Sequence, residues 1–177
     1  MPALPSRYNG GVPFRIRQFE KGDFETLWRI DQACFVPELA YSRPELAFYM
    51  RRGSAFTLVA EDEAKRRLED GARVGGSKIL GFIVAEKQRQ NGHIITIDVI
   101  EEARRLGVGS ALLAAAEDRL RENGAAAVEL ETAVNNEAAI RFYKQKGYFV
   151  ERTVRGYYSN QMDALVMRKE LEAVASG

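Results

Sequence analysis

Two arginines stand directly before a glycine pair in Arg104-Arg105-Leu106-Gly107-Val108-Gly109, and an amphipathic run, SALLAAAEDRLREN (110–123), follows. The first turn of a helix leaves four N–H groups without partners, and the aligned peptide dipoles put partial positive charge there. Glycines just ahead of that turn let the backbone close around an anion, while Arg104 and Arg105 add formal charge. The chemistry this favours is the holding of a pyrophosphate, with a side chain at Gly109 expected to clash with the bound anion. Two nucleotide loops with similar physics fail on spacing. The G-x-G-x-x-G fingerprint needs a third small residue, but Gly107-Val-Gly109-Ser-Ala ends in Leu112, and no Gly-Lys pair supplies a G-x-x-x-x-G-K-[ST] loop.

A second group of reactive side chains lies in AAAVELETAV (125–134), which reads as a strand. Period two puts Glu129 and Glu131 on one face and Val128, Leu130 and Thr132 on the other. Two carboxylates on one face of a central strand line a cleft or reach the sheet surface. With both half-buried, like charge from Glu129 raises the proton affinity of Glu131, which suits a general base. The remaining reactive residues read as structural. Cys34 has no histidine near it in sequence and reads as a buried apolar filler. His93, the single histidine, follows Asn91-Gly92 and reads as exposed turn chemistry, and Trp28 reads as core. One histidine and one cysteine argue against a catalytic transition metal.

The elements that position these groups follow from periodicity. FRIRQF (14–19) alternates and predicts a strand; Asp23 is a plausible N-cap for a helix carrying Phe24, Leu27, Trp28 and Asp31, ending near Pro37. A second helix starts at Ser42 with Pro44 early in it. AFTLVAE (55–61) and KILGFIVAEK (78–87) predict a hairpin with a long charged, Gly-rich excursion over 62–77. HIITIDVI (93–100) predicts a buried strand, NNEAAIRFYKQKG (135–147) a helix, and YFVERTVRGYY with QMDALVMRKEL a final strand pair. The order β-α-α-β-β-β-α-β-α-β-β is that of one mixed α/β domain, expected over 14–171, with a poorly ordered segment 1–13 and a tail 172–177.

Composition narrows the partners. Lys and Arg number 26 against 25 acidic residues in 177, so the net charge of +1 gives no electrostatic reason for nucleic-acid binding. One cysteine excludes an intrachain disulfide framework and suits a reducing cytoplasm. Neither a membrane-spanning run nor a signal-peptide core is visible, so no membrane partner is expected.

The pattern Arg104-x-x-Gly107-x-Gly109 between a strand and a long helix resembles the acetyl-CoA motif of the GNAT superfamily of N-acetyltransferases, and the element order is similar from about residue 14 to 171. Val134-Asn-Asn136-Glu-Ala-Ala-Ile-Arg-Phe-Tyr143-Lys-Gln-Lys-Gly-Tyr148 is similar to the superfamily's N-x-x-A-x-x-x-Y…G-[FY] segment. The nearest pattern is the RimI type, bacterial enzymes that acetylate the amino-terminal alanine of a ribosomal protein. Arg155-Gly-Tyr157-Tyr158 and Asp163-Ala164 also look like that group's carboxy-terminal strands.

The resemblance implies a central twisted mixed sheet with helices on both faces, and acetyl-CoA held where two parallel strands splay apart. Ile97, Asp98 and Val99 would meet the pantetheine arm; the amides of Arg105, Leu106, Gly107, Val108, Gly109 and Ser110 would hold the pyrophosphate beside Arg104. Asn136, also readable as a plain helix N-cap, would bond the cosubstrate near its thiol end. Glu131, five residues before Asn136, matches the general base, and Tyr143, seven after it, the general acid; the Val99 N–H would meet the oxyanion. The implied reaction is direct transfer to a primary amine, with the amino terminus of a protein or peptide as the acceptor. Two departures, Ala133 in place of a basic residue and Tyr41 in place of tryptophan, keep a small-molecule amine as the rival acceptor. A non-catalytic acetyl-CoA sensor is the alternative from another class, disfavoured because a sensor needs neither Glu131 nor Tyr143.

Overall fold

The computed structural model describes residues 14–63 and 78–172. The segment 1–13, most of the excursion after the second strand and the tail from 173 lie outside the described residues. Eleven regular elements follow the expected order: β1 Phe14–Gln18, α1 Phe24–Cys34, α2 Arg43–Met50, β2 Ala55–Asp62, β3 Ile79–Gln88, β4 Asn91–Val99, α3 Val108–Glu122, β5 Ala127–Ala133, α4 Glu137–Gln145, β6 Phe149–Val154 and β7 Ala164–Glu170.

Local chemistry starts most of the helices where the sequence predicts. Ser42 and Glu45 close a reciprocal capping box on α2, with Pro44 in its first turn. Asn136 caps α4 by accepting from the Ala139 N–H at 3.1 Å. Asp23 is the exception. It precedes α1 but makes no capping bond to it. Its carboxylate instead takes two hydrogen bonds from Arg17, at 2.7 and 3.0 Å, and one from the Glu20 N–H at 2.8 Å. A bidentate guanidinium and a preceding amide together outbid the α1 amides for the same oxygens.

The seven strands form one sheet in the order β1-β2-β3-β4-β5-β7-β6. Only β4 and β5 are parallel, and they pair only from Asn91–Ile94 against Ala127–Leu130. Beyond that point β4 continues along β3 to Val99, while β5 continues along β7 to Ala133. The strands part just after a bulge, where Val84 pairs with Thr96 and Ala85 with Ile94, leaving Ile95 as the extra residue. This is the splayed parallel pair.

Helices cover both faces. Ile94, Val128 and Leu130 pack with Leu112, Leu113, Ala116, Leu120 and Tyr143 of α3 and α4. Phe82, Val84 and Val59 pack on the other face with Leu27, Ile30 and Leu46 of α1 and α2. Each leucine buried this fully contributes about 1.5–3 kcal/mol. Gly92 lets α3 lie flat on β4: a Cβ there would stand 2.5 Å from Leu120 Cδ1.

Candidate active site

Three neighbouring strands carry a row of ionisable groups on the α1/α2 face. Glu86 of β3 lies directly opposite His93 of β4. In the parallel ladder His93 is level with Glu129, and Glu131 lies two residues further along β5. His93 Nε2 is 2.7 Å from Glu131 Oε2, and both side chains keep limited solvent access, 25% and 19%. Burial opposes charge on the imidazole, but the hydrogen bond and charge of Glu131, with those of Glu86, outweigh it and raise the His93 pKa. Glu129 is committed elsewhere: Arg168 of β7 pairs with it at 2.5 Å and Asn91 donates to it at 3.1 Å. Glu129 therefore has a guanidinium partner of its own on β7.

The reading of His93 as an exposed turn residue is corrected. The turn is Arg89–Gln90, with Arg89 at φ 53°, and β4 begins at Asn91, so His93 lies inside the ladder. A two-residue loop at 89–90 pairs 88 with 91 and 86 with 93. Reading that loop in the sequence would have brought out the Glu86–His93 pair.

Tyrosines enclose Glu131 on the same face. Tyr157 and Tyr158, on the β6–β7 loop, have ring centroids 5.0 Å apart, and both phenols are pushed up to about 12, by burial first and then by the charge of Glu131. The Gly156 N–H bonds Asp163 Oδ1 at 2.8 Å and holds that loop's base. Tyr41, on the α1–α2 connection, is fixed at four points. Its N–H donates to Asp31, its carbonyl accepts from Trp28 Nε1 and Gln32 Nε2, and its hydroxyl donates to the carbonyl of Ile95, the bulge residue. Trp28 is thus half-buried and anchors the loop. Asp31 is fully buried, and burial lifts its pKa to about 6. The Ser159 hydroxyl donates to the Glu38 carbonyl at 3.1 Å, linking the two loops across this face.

Tyr143 occupies the opposite face. It is buried in the α3/α4 core, edge-on to Phe142 and Tyr148 at 5.2 and 5.6 Å. Burial, then Asp98, then Tyr158 raise its pKa well beyond the usual phenol range. Asp98, level with Phe82 of β3, lies on the α1/α2 face. Asp98 is itself buried, accepts from Thr96 at 3.1 Å, and is held well above the normal carboxyl range, by burial first and then by Asp31. The Ile100 N–H bonds the Leu80 carbonyl of the β3 side. Strand alternation therefore turns the Ile97 and Val99 N–H groups away from β3, into the gap.

The residues after β4 form a turn over 104–107 with two left-handed positions, Arg105 at φ 61° and Gly107 at φ 84°. Gly107 is the N-cap of α3 and offers no side chain to cap it. The intrahelical ladder begins with Ala111 N–H to Gly107 O at 2.9 Å, which leaves the N–H groups of Val108, Gly109 and Ser110 without intrahelical acceptors. Arg105 is exposed beside them, whereas the Arg104 guanidinium folds back, donating to the Val99 carbonyl at 3.0 Å and approaching Cys34 Sγ at 3.7 Å. Cys34 is half-buried, and its thiol donates to the same carbonyl at 3.5 Å. At Gly109 a Cβ would meet Phe142 and Val99 at 3.6 and 3.7 Å. Both are ordinary van der Waals contacts, so the protein's own atoms leave room for a Cβ there.

One mixed seven-stranded sheet with helices on both faces, and a parallel pair β4–β5 that parts beyond Ile94 and Leu130, is an acetyltransferase type of fold. The chain belongs to the acetyltransferase (GNAT) family, which it matches over residues 24–148. An N-alpha-acetyltransferase of Sulfurisphaera tokodaii is 40% identical over 83 residues, covering 46% of this chain and 50% of that protein. The chain thus spans about half the length of that relative. Ard1 from Thermoplasma volcanium superposes with a TM-score of 0.75 at 30% identity, covering 90% of this chain and 98% of the other. The ribosomal-protein-S18-alanine N-acetyltransferase of Escherichia coli shares the fold, with a TM-score of 0.74 at 22% identity and coverage of 92% and 96%. Among the described residues no helix is long and apolar enough to cross a membrane.

Proposed function

We propose that this chain transfers the acetyl group of acetyl-CoA directly to the α-amine at the amino terminus of a protein or peptide. The observation that carries this reading is the Glu131–His93 pair, 2.7 Å apart and partly open to solvent, beneath the tyrosines of the α1/α2 face. Relatives named N-alpha-acetyltransferase support the acceptor class.

The donor side fits a pyrophosphate-bearing thioester. The free amides of Val108, Gly109 and Ser110 and the Arg105 cation suit the two phosphates. Ile97 and Val99 offer N–H groups along the gap to an extended amide-bearing arm, with Asp98 between them. Asn136 keeps its Nδ2 without a hydrogen bond among the described residues, because the cap uses only its carbonyl oxygen. Arg104 contributes by fixing the end of β4, its head group being spent on the Val99 carbonyl. Acetyl-CoA, when bound, supplies the electrophilic thioester carbonyl. Glu131 takes a proton from the acceptor ammonium, while His93 Nε2–H holds its other oxygen. The freed nitrogen lone pair would then form the C–N bond as the carbonyl carbon–sulfur bond breaks, the surplus nitrogen proton passing to solvent. The Val99 N–H would meet the oxyanion, and Tyr143 would donate a hydrogen bond to the departing thiolate.

Reference values favour an α-amine. With a pKa near 7.8, about one α-amine in seven is neutral at pH 7, against roughly one lysine in 2,500 at 10.4. Incubating the protein with acetyl-CoA and a peptide carrying both a free amino terminus and an internal lysine is expected to place the acetyl group on the terminus, as located by mass spectrometry. Label chiefly on lysine, or acetylation of polyamines or amino sugars in preference to peptides, would overturn the acceptor.

The cosubstrate assignment has its own test. A Cβ at Gly107 would find open space, so only the φ of 84° forbids a side chain there. A β-branched residue expels that conformation and tilts the amides that follow it. Gly107→Val is expected to weaken acetyl-CoA binding at least about tenfold, roughly 1.4 kcal/mol, in a folded protein. Isothermal titration giving wild-type affinity would remove the pyrophosphate role from this turn.

A further inference from the structure

Glu86 has no solvent exposure, yet it puts a carboxyl group near the end of a strand whose preceding residues, apart from Gly81, are all apolar. Phe82 and Val84 fill the same face of β3, so packing alone does not call for a carboxylate there. Burying one costs several kcal/mol unless it is paired and hydrogen-bonded. Here Arg52 Nη1 lies 3.0 Å away, its side chain 39% exposed, and the Ser54 hydroxyl donates at 3.4 Å. The Gln88 side-chain amide donates to Oε1, the oxygen that Arg52 also meets, while Ser54 takes Oε2.

What this assembly faces is His93. Glu86 Oε1 is 3.8 Å from His93 Nδ1, and Nδ1 is buried with no hydrogen-bond partner among the described residues. Nε2 of the same ring is 2.7 Å from Glu131. One imidazole is therefore held between carboxylates from the strands on either side. We propose that Glu86, anchored by Arg52 and Ser54, is the positioning residue of the His93–Glu131 pair: it holds the ring edge-on so that Nε2 meets Glu131, and lends a counter-charge to Nδ1. The inference rests on the reading of Glu131 as the base. Glu86 does not touch the acceptor; it acts through His93.

The other charged groups around the ring are Glu131 and Glu129 of β5, the latter neutralised by Arg168 of β7. Tyr157 and Tyr158 approach Glu131 from the β6–β7 loop. Among these, Glu86 and Arg52 can be changed without touching Glu131. A protonated ring opposes proton uptake by Glu131, so the rate rises as His93 loses its proton. Removing the Glu86 charge should shift that event to lower pH, and removing the Arg52 charge should shift it to higher pH.

His93 is the single histidine of the sequence, so imidazole NMR signals of tag-free protein report it alone. Titration in Glu86→Gln is expected to move the His93 midpoint down by about half a pH unit or more, and in Arg52→Met to move it up. The acid limb of kcat/KM on a peptide should move with it, while the KM for acetyl-CoA stays unchanged. If Glu86→Gln does not fold, Arg52→Met, at a partly exposed site, decides alone. An unmoved His93 midpoint in the folded variants overturns the role of Glu86, even where Glu131→Gln is inactive. A midpoint that moves while Glu131→Gln keeps full activity upholds the Glu86 device and defeats the base assignment instead.

Discussion

Replacing Glu131 by glutamine is expected to remove most of the activity at pH 7, by a factor on the order of 10² to 10⁴. The amide has nearly the shape of the carboxylate and can still accept from His93 Nε2–H, so the strand pairing and the tyrosine enclosure should persist. What it cannot do is take a proton from an ammonium. Part of the loss should be recovered towards pH 9, because an α-amine with a reference pKa near 7.8 then loses its proton to solvent. A pH–rate profile of both proteins on one peptide checks this; parallel profiles at full rate would return Glu131 to a solvated strand carboxylate. The same substitution has a consequence for stability. Glu131, by hydrogen bond and charge, helps to raise the His93 pKa in the folded protein. A raised histidine pKa adds stability that is fully present below the unfolded value near 6.5 and is lost as pH rises through the folded value. Wild type should therefore gain more stability over Glu131→Gln at pH 6 than at pH 9, in denaturant titrations.

Tyr143→Phe is expected to lower turnover on the order of 10²-fold while leaving acetyl-CoA affinity nearly intact. The ring contacts with Phe142 and Tyr148 survive the change, and among the described residues no hydrogen bond of the Tyr143 hydroxyl is lost. Tyr148 is itself held by a hydroxyl bond to Glu117 at 2.8 Å, which Lys169 neutralises at 2.6 Å, so the aromatic stack keeps its place. The raised pKa of Tyr143 bears on how it acts. Even at its reference value a phenol is a weaker acid than a thiol near 8.5, and burial widens that gap. In the proposed reaction Tyr143 is therefore expected to stabilise the leaving thiolate by donating a hydrogen bond, without full proton transfer. Turnover close to wild type in Tyr143→Phe would make it a core aromatic and nothing more.

Much of this molecule is written in short-range chemistry. Ser42 ahead of α2, Asn136 ahead of α4, and Gly107 ahead of α3 each act within a few residues of themselves, so local spacing was enough to place them. The alternation of β5 put Glu129 and Glu131 on one face for the same reason: period two is a property of the strand's own backbone. Even so, the local signal did not decide between competing partners. Asp23 sits where an N-cap should, but Arg17 on the neighbouring strand β1 claims its carboxylate. Arg104 stands beside the turn into α3 in sequence, yet its Nε donates to the Val99 carbonyl at the end of β4.

The sequence by itself determined the element order, the anion-ready start of α3 and the identity of Glu131 and Tyr143 as candidates. Only the tertiary structure decided what those groups meet. Glu86, His93 and Glu131 come from three strands and span 45 positions, and they meet because β3, β4 and β5 adopt one register. Arg168, brought to β5 by β7, pairs with Glu129 while Glu131 meets His93, although both carboxylates face the same way. The bulge at Ile95 lies where the parallel strands part, β4 continuing along β3 and β5 along β7. Register and closure are set by the packing of whole strands and helices against each other, an energy summed over many distant contacts that no window of neighbouring residues contains.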